Sequence, residues 1–175
     1  MSPLPVAALV VSAVLLLMLV ELQLSWFNEK ALRAKGALEP PDDVIKWMRV
    51  AYPFAFVLMG IEAAVGAPLA RNWVVAGLLL FGWAKALKFW AMAHLGSRWT
   101  FRVLVLPGAP LVETGPYRFL RHPNYVAVIG EIVAIAIALQ APVAGVVATL
   151  GFGWLIWRRI DVEQRALAGH TTTRP

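Results

Sequence analysis

Runs of apolar residues divide the chain before any motif is sought. Residues 3–24 are almost uninterrupted, with Ser12 and Glu21 the strongly polar positions before Gln23. Runs at 50–69 and 73–95 follow, then a closely spaced pair at 125–139 and 142–157 around Gln140-Ala141-Pro142. A helix needs about 20 apolar residues to cross a ~30 Å hydrocarbon core, and a helix satisfies its backbone polar groups there within one segment. The pattern predicts an all-α integral membrane protein of about five transmembrane helices. The last two runs are short for a span, which predicts a tilted or locally irregular hairpin.

Composition agrees. Sixty per cent of the 175 residues are hydrophobic and 15% are charged, against about 25% charged in an ordinary soluble domain. A chain of this size could not cover so much apolar surface with its own polar groups. Met1-Ser2-Pro3 lacks the basic start of a signal peptide, and the first run ends in Trp26-Phe27, so it reads as a retained anchor. Cysteine is absent, which excludes disulfides, thiolate metal sites and a cysteine nucleophile.

The excess of 16 Lys+Arg over 10 Asp+Glu marks topology rather than nucleic-acid binding. Lys30, Arg33, Lys35, Lys46 and Arg49 lie between runs one and two. Arg98, Arg102, Arg118 and Arg121 lie between runs three and four, and Arg158, Arg159, Arg165 and Arg174 follow run five. The two remaining connections carry Arg71 and nothing. The positive-inside rule then puts the N-terminus outside and the C-terminus in the cytoplasm. No repeat, linker or low-complexity tract divides the chain, so residues 1–175 read as one domain.

Signatures of soluble enzymes are missing: there is no phosphate loop, no H-E-x-x-H and no G-x-S-x-G. Gly151-Phe152-Gly153 suits close helix packing. Glu62 and Glu131 lie in apolar runs, where a mid-membrane acid costs roughly 2.5–3.5 kcal/mol on insertion scales. Both are expected to face the bundle interior, where pairing with Lys85 and Lys88 is open to them, whereas snorkelling to the interface explains the lysines most cheaply. His94 reads as interfacial and His170 as part of a loose tail. No metal site can be assembled from these groups.

The segment 96–124 is far longer than an ordinary connector. It places Trp99, Phe101, Tyr117 and Phe119 among four arginines and ends in Thr114-Gly115-Pro116-Tyr117-Arg118-Phe119-Leu120-Arg121-His122-Pro123-Asn124-Tyr125. Pro123 holds His122 out of the helical region and suits the first turn of the fourth helix. A cationic cluster at a helix N-terminus suits an anion; it also suits topological arginines followed by a proline helix start. Beyond run five, Arg159 and Glu163 lie four apart, as do Asp161 and Arg165. On a continuing helix such pairs are ordinarily solvated.

Gly115-Pro116-Tyr117 followed by Arg121-His122-Pro123-Asn124-Tyr125 resembles the G-x-Y…R-H-P-x-Y signature of isoprenylcysteine carboxyl methyltransferases, and a related form occurs in membrane phospholipid methyltransferases. The likeness continues through the hairpin to an R-x-x-x-E element, Arg159 to Glu163, and covers roughly 96–168. Asn28-Glu29-Lys30 and Trp99-Thr100 resemble the small bacterial branch. The resemblance implies a methyltransferase of a bacterial inner membrane, with N-terminal helices in 3–95 and a catalytic region in 96–168. It further implies S-adenosylmethionine bound at a cytoplasmic face, by a loop and a C-terminal helix. Carried over residue by residue, cofactor contacts fall on Ala109, Pro110, Leu111, Val112, Tyr117, His122, Pro123, Asn124, Tyr125 and Glu163. Arg159 faces the acceptor, so Arg159 and Glu163 are the catalytic pair. Many relatives carry a second acid after that glutamate; here Gln164 stands there, and a role for a second carboxylate does not transfer. The implied acceptor is a lipid-like molecule from the bilayer, either a prenylcysteine carboxylate or a long-chain phenolic or pyrone lipid. A phospholipid N-methyltransferase and a non-enzymatic scaffold or transporter are the competing readings.

Overall fold

A computed structural model describes residues 1–41 and 43–171, with side chains through Ala166. Asp42, Arg174 and the side chain of His170 lie outside the described residues. Among the described residues five helices follow one another: α1 (Pro3–Ala34), α2 (Ile45–Val65), α3 (Arg71–Leu95), α4 (Pro123–Leu139) and α5 (Pro142–Thr171). Short 3-10 turns at Gly96–Arg98 and Gly115–Arg118 punctuate the long segment before α4. Four helices, α1, α2, α3 and α5, are long and apolar enough to cross a membrane, and α4 is a shorter apolar helix. The expected all-α membrane protein of about five helices is what the chain forms.

Local sequence explains the starts. Proline occupies the first turn of α1, α4 and α5, where its missing N–H removes a donor that has no partner within the helix. At the turn between α4 and α5, Gln140 adopts a left-handed φ of 50°. That residue is an irregular point of the expected hairpin. Two helices outrun their apolar stretches. α1 passes the predicted end near residue 24 and continues to Ala34, and α5 passes Trp157 as one uninterrupted helix. The C-terminal helix expected from the sequence is therefore the far half of α5. The extensions are polar, and they carry residues that bind the 96–124 segment.

α4 is the central helix, with α3 against it most closely and α2 and α5 on its other sides. Gly77 makes the approach of α3 possible: a Cβ there would lie 2.4 Å from the Ala138 backbone nitrogen. Gly151 and Gly153 would meet nothing within 4 Å, so the packing role expected for them belongs to Gly77 instead. Tyr52, Phe56, Met59, Ile132, Ile135, Leu139 and Phe152 fill the core between α2, α4 and α5. Leu9, Leu16, Val20, Val65, Leu79, Val147 and Leu150 point outward, as helices solvated by lipid require.

Charge lies inside this apolar bundle. Lys85 Nζ is 2.5 Å from Glu21 Oε1 and 2.9 Å from Glu131 Oε2. Lys88 Nζ is 2.6 Å from Glu21 Oε2 and 3.3 Å from Glu131 Oε1. The Tyr52 hydroxyl donates to Glu131 Oε2 at 2.6 Å. Lys88 is 2% exposed and Glu131 is 0% exposed, so the lysines do not snorkel. They neutralise two buried acids, because an ion deprived of water stays charged only beside a counter-ion. The expected pairing holds for Glu131. Glu62 instead accepts the backbone N–H groups of Val143 at 3.0 Å and Ala144 at 2.6 Å, which have no helical partner at the start of α5.

That contact belongs to the end of the bundle poor in arginine. There the Gln140 side chain exchanges two 3.3 Å hydrogen bonds with the Ala70 backbone, and the Met1 ammonium donates to the Leu69 carbonyl at 2.8 Å. The opposite, arginine-rich end carries the long segment.

Candidate functional site

The segment 96–124 is irregular, yet much of it is tied to the helices around it. Ser25 Oγ accepts the Phe101 N–H at 2.7 Å, and Asn28 Nδ2 donates to the Trp99 carbonyl at 2.8 Å. Buried Trp99 donates from Nε1 to Asn124 Oδ1 at 3.3 Å, which joins the α1 extension to the start of α4. Leu38 and Val105 exchange two backbone hydrogen bonds of 2.9 Å, so the turn-rich stretch after α1 forms an isolated antiparallel bridge with this segment. Arg102 pairs with Glu39 at 2.5 Å and with Glu29 at 3.3 Å, and Arg33 also pairs with Glu39. Burial raises the Glu39 pKa, but the two guanidinium groups outweigh it and hold the carboxyl below its ordinary value.

Gly115 fixes the next turn. Its φ is 59°, and a Cβ there would lie 2.5 Å from the His94 ring. The turn therefore lies directly on the end of α3, with Pro116 buried and Tyr117 following. His94, expected at the interface, is the surface on which this turn rests. Burial, together with the Glu163 charge, raises the Tyr117 phenol above its ordinary value, so Tyr117 stays neutral at physiological pH.

His122 caps α4 with non-helical dihedrals (φ −132°, ψ 62°), and Pro123 occupies the first turn. One turn later the two separated motifs meet. The Tyr125 hydroxyl donates to Glu163 Oε2 at 2.9 Å and accepts from Arg159 Nε at 2.9 Å. The His122 ring stacks on Tyr125, with centroids 5.5 Å apart and planes 24° apart, and its Nδ1 is 3.8 Å from Glu163 Oε2. Arg159 is 5% exposed and extensively engaged. Nη2 donates to the Phe101 carbonyl, while Nη1 is 3.5 Å from Met48 Sδ and 3.6 Å from Asp43 Oδ1. The expected solvated pair between Arg159 and Glu163 is replaced by this shared tyrosine. Asp161 and Arg165 form the exposed 3.0 Å pair that the spacing predicts.

The structure thus brings together Tyr125, His122, Arg159 and Glu163. Pro123 is buried, and the Asn124 side chain is turned to Trp99. Gln164 is exposed. Ala109, Pro110, Leu111 and Val112 form an outer loop held by Arg98, which donates to the Pro110 carbonyl at 2.5 Å. No hydrogen bond or ion pair among the described residues joins that loop to the Tyr125 cluster. Sequence reading missed Asp43, Met48, Phe101 and Ser25. Asp43 alone carried a signal, as an acid before an apolar helix: its Oδ1 accepts the Ile45 N–H and its Oδ2 the Val103 N–H, both at 3.1 Å.

Fold and site together define a multi-helix membrane protein whose arginine-rich end presents a buried guanidinium and a part-exposed carboxylate joined by one phenol. Residues 73–169, more than half of the chain, match the isoprenylcysteine carboxyl methyltransferase (ICMT) family, and the chain belongs to that family. Membership implies a membrane methyltransferase. Among similar proteins are the uncharacterized protein YpbQ of Bacillus subtilis and an uncharacterized protein of Haemophilus influenzae. YpbQ is 29% identical over 80% of this chain and 83% of its own length. The Haemophilus protein is 27% identical over 84% and 86%.

Proposed function

We propose that the protein is an S-adenosylmethionine-dependent O-methyltransferase whose acceptor is a lipid-like molecule of the bilayer. The observation that carries this reading is the Tyr125 hydroxyl, which ties the carboxylate of the later motif to its arginine and to the helix start of the earlier one. Glu163 suits the cofactor's ammonium. Its side chain is 31% exposed, so a ligand can reach it, and Tyr125 and His122 lie on one oxygen. The stacked His122–Tyr125 faces offer a surface for an adenine or a sulfonium, and Tyr117 and the Ala109–Val112 loop are the further contacts proposed. When bound, the cofactor supplies an electrophilic methyl group.

Arg159 holds the acceptor oxygen. Of its nitrogens, Nη1 has the longest contacts, to Met48 and Asp43, and it is the donor an incoming oxygen takes over. A prenylcysteine carboxylate is already ionised at pH 7, so it needs orientation and exclusion of water, not a general base. A phenolic or pyrone lipid is the alternative acceptor of the same class. A buried guanidinium repels a protonated amine, which favours O- over N-methylation. By the positive-inside rule, the site faces the cytoplasm, and the whole chain, 1–175, works as one unit with its catalytic part in 96–168.

Calorimetry with S-adenosylhomocysteine on the detergent-solubilised protein tests the reading. Micromolar binding is expected, lost in Glu163→Ala, whereas Arg159→Ala retains binding and loses turnover. Absence of binding by folded protein, in detergent and in lipid, would overturn the reading in favour of a scaffold or transporter.

A further inference from the structure

None of the roles above uses the charge cluster inside the bundle, yet two short paths lead from it to Arg159. On α2, Tyr52 donates to Glu131 at 2.6 Å, and Met48, four residues earlier, touches Arg159 Nη1. On α1, Glu21 takes both lysines, and Ser25, four residues later, accepts the Phe101 N–H at 2.7 Å. The Phe101 carbonyl in turn receives Arg159 Nη2. Residues four apart share one helix face, so each path is a single helical turn long, and both end on the same guanidinium.

We propose that Glu21, Lys85, Lys88, Glu131 and Tyr52 form a positioning device that sets the register of α1 and α2 and thereby holds Arg159 where an acceptor oxygen must lie. The inference rests on the reading of Arg159 as the acceptor-orienting group. Cohesion alone would not call for these charges, because apolar residues commonly replace a buried ion set with no loss of stability. What charges add is register. Lipid tails are as apolar as leucine, so burial hardly resists a helix sliding against its neighbours in a bilayer. A slip of one residue moves α1 about 1.5 Å along its axis and turns it by roughly 100°, which separates Glu21 from both lysines. The same slip carries Ser25 away from Phe101. Misplacement by about 1 Å can cost a reaction on the order of a hundredfold, so a register held this tightly matters to turnover before it matters to folding.

Two variants keep the interior neutral: Tyr52→Phe, and Glu21→Gln combined with Lys88→Met. Each is compared with the unaltered full chain by three measurements. These are hydrogen exchange at the Phe101 and Val103 amides, calorimetric affinity for S-adenosylhomocysteine, and kcat and KM for methyl transfer to N-acetyl-S-farnesylcysteine. The expected result is about tenfold faster exchange at Phe101, with amides in the middle of α4 and α5 still protected. Cofactor affinity stays within about twofold, while kcat falls about tenfold or more at unchanged cofactor KM. Unaltered Phe101 exchange in both variants overturns the proposal. So does uniform loss of protection along all helices, the outcome of a packing role alone. If the unaltered protein binds no S-adenosylhomocysteine, the methyltransferase reading fails separately, and the exchange result still decides the positioning role.

Discussion

Tyr125 is the residue on which the site turns, because its one hydroxyl serves Arg159 and Glu163 together. Tyr125→Phe leaves the ring stacked on His122 but strands a buried Arg159 donor, at a cost of about 1–3 kcal/mol. We expect a thermal midpoint lower by several degrees, with both S-adenosylhomocysteine affinity and turnover reduced; calorimetry and a melting curve check this. Loss of turnover alone, at full cofactor affinity, would mean that the phenol does not orient Glu163. Tyr125, His122, Arg159 and Glu163 were legible in the sequence because each sits in a short motif with fixed spacing. Phe101, Met48 and Ser25 were not, because they act through a backbone carbonyl, a thioether and a hydroxyl. Such groups leave no trace in spacing, and their partners lie 58, 111 and 76 residues away.

Among the elements, two contacts carry expectations of their own. Gly77 lets α3 meet the backbone of α4, and even one methyl group there collides with main chain that cannot move aside. Gly77→Ala should destabilise by about 1–3 kcal/mol through overpacking, read as a lower melting temperature, whereas Gly151→Ala should change it little. The bridge between Leu38 and Val105 is held beside Glu39, whose folded pKa lies below the ordinary 4.5. A lowered carboxyl pKa stabilises the fold above its unfolded value, and that contribution fades as pH falls through the lower folded value. Exchange protection of the Leu38 and Val105 amides, corrected for intrinsic rates, should therefore hold from pH 7 to about 4.5 and drop below it. Glu39→Gln should remove that dependence. Hydropathy located all five helices but not their ends. The polar extensions of α1 and α5 are helical because they dock on the 96–124 segment, a tertiary cause invisible to a sliding window. Likewise the lysines on α3 read as snorkelling in the sequence because the acids that pair with them come from α1 and α4.

Across the whole molecule, the two ends of the bundle differ in kind. One end is closed by backbone contacts through Gln140, Glu62 and the Met1 ammonium; the other gathers the arginines, the long segment and the site. The charge asymmetry predicts that a reporter fused after Pro175 is cytoplasmic and one fused before Met1 is not. Protease or thiol-labelling access in inverted vesicles measures this, and the opposite result would move the proposed site to the other side of the membrane. α1 is long and apolar enough to cross a bilayer, and its polar end continues the same helix as one rod. Glu21 is moored to charges inside the bundle, and Ser25 and Asn28 carry the long segment one and two turns further along. That rod therefore acts as a depth gauge. The distance of the site from the buried charges is counted out in residues between the mooring and the shelf, in steps of about 1.5 Å, so a single inserted residue after Glu21 would both lift that shelf and swing it to another side of the bundle.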